Sequence, residues 1–326
     1  MHPSNSTTRN YQLPPFAGPI VSVIIPAKNE EKFIGQCIDS ILNIDFPREK
    51  FEVILVDNGS TDSTLSIARS RDVVILEKHE GTISGLRNLG ALRSSGSVLV
   101  FIDADCTVER DWLKRAEFYF EQETIVCFGS APTIPANATW VQQTWLIVRE
   151  KSNEIEEVSW LESMNMFVRK EIFIQIGGFN EKLITCEDVD ISYRLAQKGK
   201  ILSDKGIRAV HHGEAKDLKE FYKKERWRSK SNYRGFSQHD FHLGELPSLI
   251  MPIYYGFSLI CAILFLLLTQ FKSIKILFLL LLLNQGPIFI IGLLKIKRSF
   301  SLLKFIKIIL IYNIYFLARL NALFSK

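Results

Sequence analysis

The sequence predicts an α/β domain with a mixed sheet and helices on both faces, followed by transmembrane helices at the C-terminus. The first hundred residues alternate short β-branched runs with segments of helical spacing, which is typical of βα units around a largely parallel sheet. The C-terminal part contains two charge-free runs, 249–271 and 276–294, each about as long as a bilayer-crossing helix. A soluble core helix is rarely apolar on every face for so long.

The predicted elements follow one another closely in the first half of the chain and less regularly afterwards. Strands are predicted at 21–25, 51–56, 73–76 and 97–102, with helices at 30–43, 61–70 and 82–94. After residue 110 the alternation breaks, and we expect a helix near 109–121, a strand near 124–131, a Gly177-Gly178-Phe179 turn and a helix at 187–198.

The net charge of +5 is unevenly distributed along the chain. Residues 249–326 hold nine basic and no acidic side chains, so the remaining residues carry 31 basic and 35 acidic ones. Residues 216–234, just before the first apolar run, hold eight basic and three acidic side chains. The positive charge therefore belongs to the part next to the membrane, which argues against a general nucleic-acid binder. Five scattered cysteines with no CxxC pair indicate reduced thiols in a cytosolic compartment.

Four regions are expected along the chain. Residues 1–19 lack the apolar core of a signal peptide and are interpreted as a flexible arm. Residues 20–235 form the α/β domain, 236–248 a linker and 249–326 the membrane region. The membrane helices are placed at about 249–271, 275–294 and 301–324, the third being either a span or an interfacial helix. Basic residues on both sides of the hairpin predict a multi-pass protein of the cell inner membrane with the α/β domain in the cytoplasm.

Polar clusters follow three of the predicted strands, at the sheet edge where ligands bind in open α/β folds. They are Pro26-Ala-Lys-Asn-Glu30, Asp57-Asn-Gly-Ser-Thr-Asp62 and Asp103-Ala-Asp105. Each cluster alone could be a loop with a helix cap, but three on successive strands favour a site. The paired aspartates are suited to Mg²⁺ or Mn²⁺, which take one or two carboxylates together with substrate phosphates.

These clusters occur in a longer ordered set of motifs that resembles the family 2 inverting glycosyltransferases of GT-A (Rossmann-like) fold. The set consists of Val23-Ile-Ile-Pro-Ala-Lys-Asn-Glu30, Val56-Asp-Asn-Gly-Ser-Thr-Asp62, Gly85-Leu-Arg-Asn-Leu-Gly90, Phe101-Ile-Asp-Ala-Asp105, Gly177-Gly-Phe-Asn-Glu181 and Cys186-Glu-Asp-Val-Asp190. The resemblance covers about residues 20–235. It implies a bacterial-type, membrane-anchored hexosyltransferase of polysaccharide biosynthesis.

The resemblance also implies roles for individual residues. Those on the donor side are Pro26, Ala27, Asn29, Glu30, Asp57, Arg87, Asn88, Asp103 and Asp105. Asp57 would hydrogen-bond a nucleobase, typically uracil, while Asp105 and Asp103 would hold the metal, with His211 as a further candidate ligand or a structural histidine. Asp188 would be the general base, although Glu187-Asp-Val-Asp190 could also be an acidic first helical turn.

On the acceptor side we expect Ser163, Asn165, Glu187, Arg226 and Trp227. Lys223-Lys-Glu-Arg226-Trp227 resembles the QxxRW motif of processive members, but Lys stands where Gln or Arg is usual, which argues against polymerisation. A basic juxtamembrane helix with one anchoring tryptophan would give the same pattern.

The function predicted from the sequence is metal-dependent, inverting transfer of a sugar from a nucleotide-diphosphate sugar, typically a UDP-sugar. The acceptor would be a hydroxyl or phosphate of a membrane-associated molecule, namely a lipid-linked glycan, a polyprenyl phosphate or a polysaccharide precursor. A nucleotidyltransferase and a non-catalytic membrane scaffold derived from a transferase are the alternatives. The sequence leaves open the sugar, the acceptor, processivity and the oligomeric state.

Overall fold

The computed structural model describes residues 20–149, 153–231, 246–269, 274–296 and 301–324. The expected N-terminal arm, most of the expected linker and the basic residues Lys297 and Arg298 lie outside these ranges. The strands are β1 (Val21–Ala27), β2 (Phe51–Asp57), β3 (Val74–Glu77), β4 (Val98–Ile102), β5 (Cys106–Val108), β6 (Ile125–Gly129), β7 (Ile155–Glu157), β8 (Asn165–Arg169), β9 (Lys200–Asp204) and β10 (Ala209–His211).

The helices fall into a group around the sheet and a group of three long ones at the C-terminal end. The first group is α1 (Ile34–Leu42), α2 (Thr64–Arg69), α3 (Ile83–Arg93), α4 (Trp112–Ala116), α5 (Trp140–Arg149), α6 (Lys170–Gln175), α7 (Glu187–Ala196) and α8 (Leu218–Arg228). The second group is α9 (Leu246–Thr269), α10 (Ile274–Ile296) and α11 (Leu302–Leu323). Short 3₁₀ helices occur at Arg48–Lys50, Glu117–Tyr119 and Ser229–Ser231.

Eight strands form one mixed sheet, as the sequence predicts, in the order β3-β2-β1-β4-β8-β6-β9-β7. The first four are parallel, while β8 runs antiparallel to both β4 and β6. Parallel pairing places Ala27 opposite Asp57 at the carboxyl ends of β1 and β2. The polar residues that follow β1, β2 and β4 therefore meet at one edge of the sheet.

Both faces of the sheet are covered, which explains why its strands are apolar without strict alternation. Every residue of β1 is buried. Val23 and Ile25 belong to a core cluster with α1 and α4, whereas Ile24 belongs to a second cluster with α3, α6 and α7. This division follows from the pleat, which sends successive side chains to opposite faces.

The three C-terminal helices pack on one another and on the α/β domain. Two stretches, Ser248–Leu268 in α9 and Lys275–Ile296 in α10, are long and apolar enough to cross a membrane. The third predicted segment, α11, shares a buried cluster with α5 and α8 of the α/β domain. It therefore lies between that domain and the apolar hairpin.

A polar network joins these three helices. The hydroxyl of Tyr255 donates to Asn313 Oδ1 at 2.9 Å, and Asn313 Nδ2 donates to Gln285 Oε1 at 3.0 Å. Asn284 Nδ2 donates to Ser258 Oγ at 2.8 Å. Polar groups buried among apolar helices are stable only when paired, so this network restricts how the helices can slide or rotate.

Candidate active site

A cavity of about 600 Å³ lies between the carboxyl edge of the sheet, the first turn of α7, and helices α5, α8, α9 and α11. Residues from all of these elements line it, including the first turn of α9 and the last turns of α11. Of the residues predicted from the sequence, its wall contains Arg87, Asp103, Ser163, Glu187, Asp188, His211 and Trp227.

The loops after β1 and β2 interlock beside this edge. Asn29, with a φ of 57°, accepts a hydrogen bond from Thr61 N at 2.8 Å, and its own backbone N–H donates to Ser60 Oγ at 2.9 Å. Asp57 is fully buried and accepts from both the N–H and the hydroxyl of Ser60, at 2.9 and 2.5 Å. Pro26 and Ala27 are the last two residues of β1 and lie in register with β2. These hydrogen-bonded loops form a polar floor beside the cavity, and the residues named here are not part of the cavity wall.

Asn58 in this floor has an unsatisfied acceptor. Its Nδ2 donates to Gly81 O at 3.4 Å, but its buried Oδ1 has no hydrogen-bond partner among the described residues. Both oxygens of neighbouring Asp57 are engaged with Ser60. Sequence analysis singled out Asp57 and missed Asn58, whose only signal was its place in the same loop.

Arg87 joins the sheet edge to α7. Its side chain is 1% exposed and donates to Asp103 Oδ1 and to Glu187 Oε1, each at 2.8 Å. Burial by itself lowers the pKa of this guanidinium, but the two carboxylates outweigh that effect and raise it. A buried charge pair of this kind costs several kcal/mol to break, because the remaining partners are left uncompensated.

Asn88, the neighbour of Arg87, contacts the glycine turn. It donates from Nδ2 to Phe179 O and accepts at Oδ1 from Phe179 N, both at 2.9 Å. Gly177 and Gly178 adopt φ values of 80° and 69°, and a Cβ at Gly178 would lie 2.7 Å from Asn88 Oδ1. The structure therefore places Asn88 as a support for the turn that leads to α7 and not in the cavity wall.

Asp105 contacts His211 because β5 and β10 pair in an antiparallel ribbon that places His211 opposite Cys106. Asp105 Oδ2 lies 3.1 Å from His211 Nε2, and His211 Nδ1 lies 3.2 Å from Glu214 Oε2. Burial lowers the pKa of His211, but contact with the two carboxylates raises it to about 9. Gly213 packs so closely on Asp105 that a Cβ there would overlap the carboxylate.

Glu30 adds a third carboxylate near this edge. Burial, followed by the charges of Asp105 and Asp103, raises the pKa of Glu30 to about 7. Concentrated negative charge of this kind favours a bound cation. Lys224 on α8 opposes the rise in the pKa of Glu30. Burial raises the pKa of Asp105, but contact with His211 and the charge of Lys224 outweigh it and hold that pKa below its ordinary value.

The donor set at Asp105 fits a divalent ion that arrives with a substrate. Among the residues that the structure describes, no three His, Cys, Asp or Glu side chains are placed to hold a metal by themselves. Asp105 supplies a carboxylate at the sheet edge, and Asp103 Oδ1 is engaged with Arg87. His211 Nε2 faces Asp105 and becomes a ligand only when a metal displaces the proton that the raised pKa of His211 holds on the ring. Mg²⁺ and Mn²⁺ are commonly held by one or two protein carboxylates plus phosphate oxygens, so two protein ligands suffice.

Asp188 lies in the first turn of α7 and lines the cavity. The helix starts from Cys186, whose φ of 65° is unusual for a non-glycine residue and is typical of strained functional sites. Burial, the charge of Glu187 and the charge of Glu162 raise the pKa of Asp188 to about 8, while Arg87 opposes the rise. A carboxylate in this range can accept a proton near neutral pH. Glu162, also in the cavity wall, was not found by sequence analysis.

Two of the expected acceptor-side residues lie elsewhere. The side chain of Asn165 is fully buried, accepting from Trp112 Nε1 at 3.0 Å and donating to Ser130 Oγ at 2.9 Å. Arg226 is exposed and does not line the cavity. On α8 the cavity receives Lys224 and Arg228, together with Trp227. Residues four apart share a helix face, whereas Arg226 lies halfway between them on the opposite side.

Three arginines from distant parts of the chain line the cavity on the side of the C-terminal helices: Arg149 of α5, Arg228 of α8 and Arg319 of α11. They surround two carboxylates, Glu214 and Glu225, each 1% exposed. Burial raises the pKa of Glu214, but Arg228, His211 and Arg149 together hold it well below its ordinary value. No motif marks this cluster, and Arg319 lies in a helix that is otherwise largely apolar.

The α/β domain is similar in sequence to known proteins. Residues 22–179 match Glycosyl transferase family 2. Glycosyltransferase AglE of Haloferax volcanii is 31% identical over 191 residues, which are 56% of this chain and 62% of that protein. A beta-monoglucosyldiacylglycerol synthase of a Nostoc species is 26% identical over 197 residues, which are 54% of this chain and 41% of that protein. The chain thus spans less than two thirds of the length of these relatives.

Solved structures share the fold over nearly the whole chain. A mannosyltransferase from Pyrobaculum calidifontis, solved in complex with GDP-Man and Mn²⁺, superposes with a TM-score of 0.66 over 96% of this chain and 89% of its own length. The sequence identity is 17%, so the likeness concerns the fold alone. Residues 1–349 of Staphylococcus aureus TarS with UDP-GlcNAc give a TM-score of 0.52 at 17% identity, over 92% of this chain and 90% of that one.

Proposed function

This chain carries a family 2 glycosyltransferase domain of GT-A fold, and we propose that it transfers a sugar, with inversion, from a nucleotide-diphosphate sugar to a membrane-associated acceptor. One observation carries the proposal. Arg87 links Asp103, at the end of β4, to Glu187, the neighbour of Asp188, through two 2.8 Å contacts. A donor-side carboxylate and a candidate base are thereby held in the wall of one cavity.

The donor would occupy the edge formed by the loops after β1, β2 and β4. Pro26, Ala27, Asn29 and Glu30 would line the nucleotide pocket beside the floor described above. The buried, unpartnered Oδ1 of Asn58 supports a nucleobase N–H as its partner, with Asp57 holding the loop through Ser60. A UDP-sugar is the donor that we propose to test first.

Asp105 and His211 would hold a divalent cation, Mg²⁺ or Mn²⁺, which supplies electrostatic stabilisation for the leaving diphosphate. Solved GT-A relatives that contain Mn²⁺ support this assignment. Lys224 of α8 acts electrostatically on both Asp105 and Glu30, so its positive charge lies on the same side of the cavity.

Asp188 would act as the general base. The acceptor hydroxyl would attack the anomeric carbon on the face opposite the diphosphate, forming one C–O bond as the bond to the diphosphate oxygen breaks. The hydroxyl proton would pass to Asp188, whose pKa of about 8 gives it affinity for that proton. The nucleoside diphosphate would leave with the electron pair of the broken bond. Glu187, paired with Arg87, would position the first turn of α7.

The acceptor would enter from the membrane. Leu249 of α9 and Tyr315 of α11 line the same cavity as Asp188, and α9 continues into an apolar helix long enough to span a bilayer. One relative is named for the synthesis of a glucosyldiacylglycerol, which supports a lipid acceptor. We place the domain on the cytoplasmic side of the cell inner membrane, where nucleotide sugars are available.

The test is release of nucleoside diphosphate by the purified full chain in neutral detergent, supplied in turn with UDP- and GDP-sugars and with Mg²⁺ or Mn²⁺. We expect metal-dependent release that rises when a membrane lipid extract is added. Asp105→Ala and Asp188→Asn should both abolish the stimulated reaction, and Asp72→Asn, an exposed substitution on the far surface, should not. If the wild-type protein released no more nucleoside diphosphate than Asp188→Asn with every donor, the proposal would be wrong and a non-catalytic scaffold would be favoured.

A further inference from the structure

The three arginines at the membrane side of the cavity have more hydrogen-bonding capacity than the two glutamates use. Arg228 Nη1 lies 2.7 Å from Glu225 Oε1, and Arg228 Nη2 lies 3.3 Å from Glu214 Oε1. Arg149 and Arg319 reach these carboxylates only at 3.5 Å. The Nε atoms of Arg149 and Arg319 are buried and have no hydrogen-bond partner among the described residues.

The charge balance of this cluster is positive. Three guanidinium groups share two carboxylates, and Lys224 adds a further positive charge to the same wall. The arginine side chains are 18%, 25% and 15% exposed for Arg149, Arg228 and Arg319, so they are largely removed from bulk solvent but reach the cavity. Guanidinium groups in such a place match the geometry of phosphate oxygens, which they bind in a bidentate manner.

The cluster and the candidate base lie on different elements of the cavity wall. Asp188 belongs to the first turn of α7, and the charged groups that act on it most strongly are Glu187, Glu162 and Arg87. The arginines belong to α5, α8 and α11. An anion on the arginines would therefore be a point of attachment, while the reacting hydroxyl would lie elsewhere in the cavity, near Asp188.

The surroundings of the cluster are apolar on the side of the C-terminal helices. Arg319 stacks on the Tyr315 ring at 4.2 Å, and Arg149 lies 5.5 Å from the Trp145 ring. Leu249 at the start of α9 lines the same cavity. A phosphate at this point would lie where an apolar chain attached to it could follow α9 and α11 into the bilayer.

From this juxtaposition we propose that Arg149, Arg228 and Arg319 bind a phosphate group at the lipid end of the acceptor. The acceptor would then be a phosphate-bearing lipid that presents a separate sugar hydroxyl to Asp188. This inference deepens the proposed function and rests on it for the transfer step, although binding of the phosphate does not require a donor.

Calorimetric titration of the full chain in neutral maltoside detergent tests the subsite. The probes are monododecyl phosphate, dodecanol as its uncharged counterpart, inorganic phosphate and inorganic diphosphate. We expect dodecyl phosphate to bind at least tenfold more tightly than dodecanol, because charge-assisted hydrogen bonds to the arginines need the phosphate. We expect the same margin over inorganic phosphate and diphosphate, because only the alkyl phosphate also buries an apolar chain. Inorganic phosphate binding as tightly as dodecyl phosphate would overturn the lipid assignment.

Substitutions separate this subsite from the donor site. Arg319→Gln and Arg149→Gln should each weaken dodecyl phosphate binding by about tenfold. Arg319→Lys, which keeps the charge beside Glu225, should lose less. Arg110→Gln removes an arginine that is 79% exposed and paired with Asp45, and should change nothing. Size-exclusion elution and circular dichroism would verify that the variants fold.

Acceptor-free donor hydrolysis distinguishes the two proposals. If Arg319→Gln raises the donor KM and leaves dodecyl phosphate binding unchanged, the arginines belong to the donor and the inference is wrong. If no donor turns over but dodecyl phosphate binding still depends on Arg319, the proposed function fails and the phosphate subsite stands.

Discussion

The side of the cavity at the sheet edge, which we propose holds the donor, and the side at the C-terminal helices, which we propose faces the membrane, are built in different ways. On the donor side, hydrogen bonds join residues close in sequence, such as Asp57 and Ser60, or the ends of adjacent strands. On the membrane side, charged side chains from α5, α8 and α11 meet across long sequence separations, as Arg319 and Glu225 do. The first kind of construction gives a preformed pocket, and the second makes the site depend on docking of the C-terminal helices.

Arg87 connects the sheet edge to the first turn of α7, where the candidate base lies, because it reaches Asp103 with one nitrogen and Glu187 with another. A substitution that removes a function dependent on both sides should therefore reduce activity more than one that removes a contact within a single side.

Asp188→Asn should have the largest effect. It keeps the shape of the side chain but removes its ability to take a proton, and a general base contributes typically 10²–10⁴-fold to the rate. We expect the rate of sugar transfer to fall by about a thousandfold, measured as nucleoside diphosphate release with a lipid extract as acceptor. If Asp188→Asn reduced metal-dependent donor hydrolysis without acceptor by the same factor as transfer, Asp188 would belong to the donor side. The division between the two sides would then be wrong.

Arg87→Met tests the connection itself. Removing the guanidinium leaves Asp103 and Glu187 without their shared partner, and breaking a buried pair in this way costs about 3–5 kcal/mol. Chemical denaturation in detergent should show a loss of that size in the free energy of unfolding. Arg110→Met, at an exposed pair with Asp45, should lose at most about 1 kcal/mol. Similar losses in the two variants would mean that the bridge does not hold the sheet edge and α7 together.

The pH dependence of transfer should report the acceptor side. Asp188 must be ionised to act as a base, and burial together with Glu187 and Glu162 raises its pKa to about 8. The rate should therefore rise about tenfold per pH unit below this pKa and level off above it. Steady-state transfer rates at saturating donor, from pH 6 to 9, would measure the profile. A rate that is already constant at pH 6 would contradict the assignment.

Ser60→Ala should have a small effect confined to the donor side. The hydroxyl of Ser60 donates to Asp57 and accepts from the Asn29 N–H, so its removal loosens the floor but leaves α7 intact. A hydrogen bond is worth about 1 kcal/mol, which corresponds to a rise in donor KM of roughly fivefold with little change in kcat. Ser66→Ala, which removes an exposed hydroxyl from α2, serves as the control. A fall in kcat without a change in KM would assign Ser60 to the chemical step.

The sequence was sufficient to predict the donor side in most respects. The run 51–56 became β2 with one further residue, and the polar loops after β1, β2 and β4 meet at one edge as expected. This part of the molecule follows from local rules, since the period of the strand and the chemistry of the turns decide it. The mixed character of the sheet is also confirmed, and residues 22–179 match the family 2 model, as the resemblance implied.

The membrane side could not be predicted in the same way. Asn165 was expected near the acceptor because of its position in the sequence, yet the strand pleat turns it into the core, where it pairs with Trp112 and Ser130. Arg226 belongs to a familiar motif, but helical rotation directs Lys224 and Arg228 into the cavity instead. Which face of α8 meets the cavity is set by its packing on distant elements, such as α11, and no local pattern encodes that choice.

The polar network among the C-terminal helices has a geometric consequence for the acceptor. Asn313 fixes α11 against Tyr255 and Gln285, and two turns further along the same helix Arg319 forms part of the cavity wall. Because α11 also packs on α5 and α8, it holds the cavity at a fixed distance from the apolar hairpin. An acceptor that is anchored beside the apolar hairpin and reacts in the cavity would have to span this distance. The protein would then discriminate between acceptors by the length that separates the anchor from the reacting group.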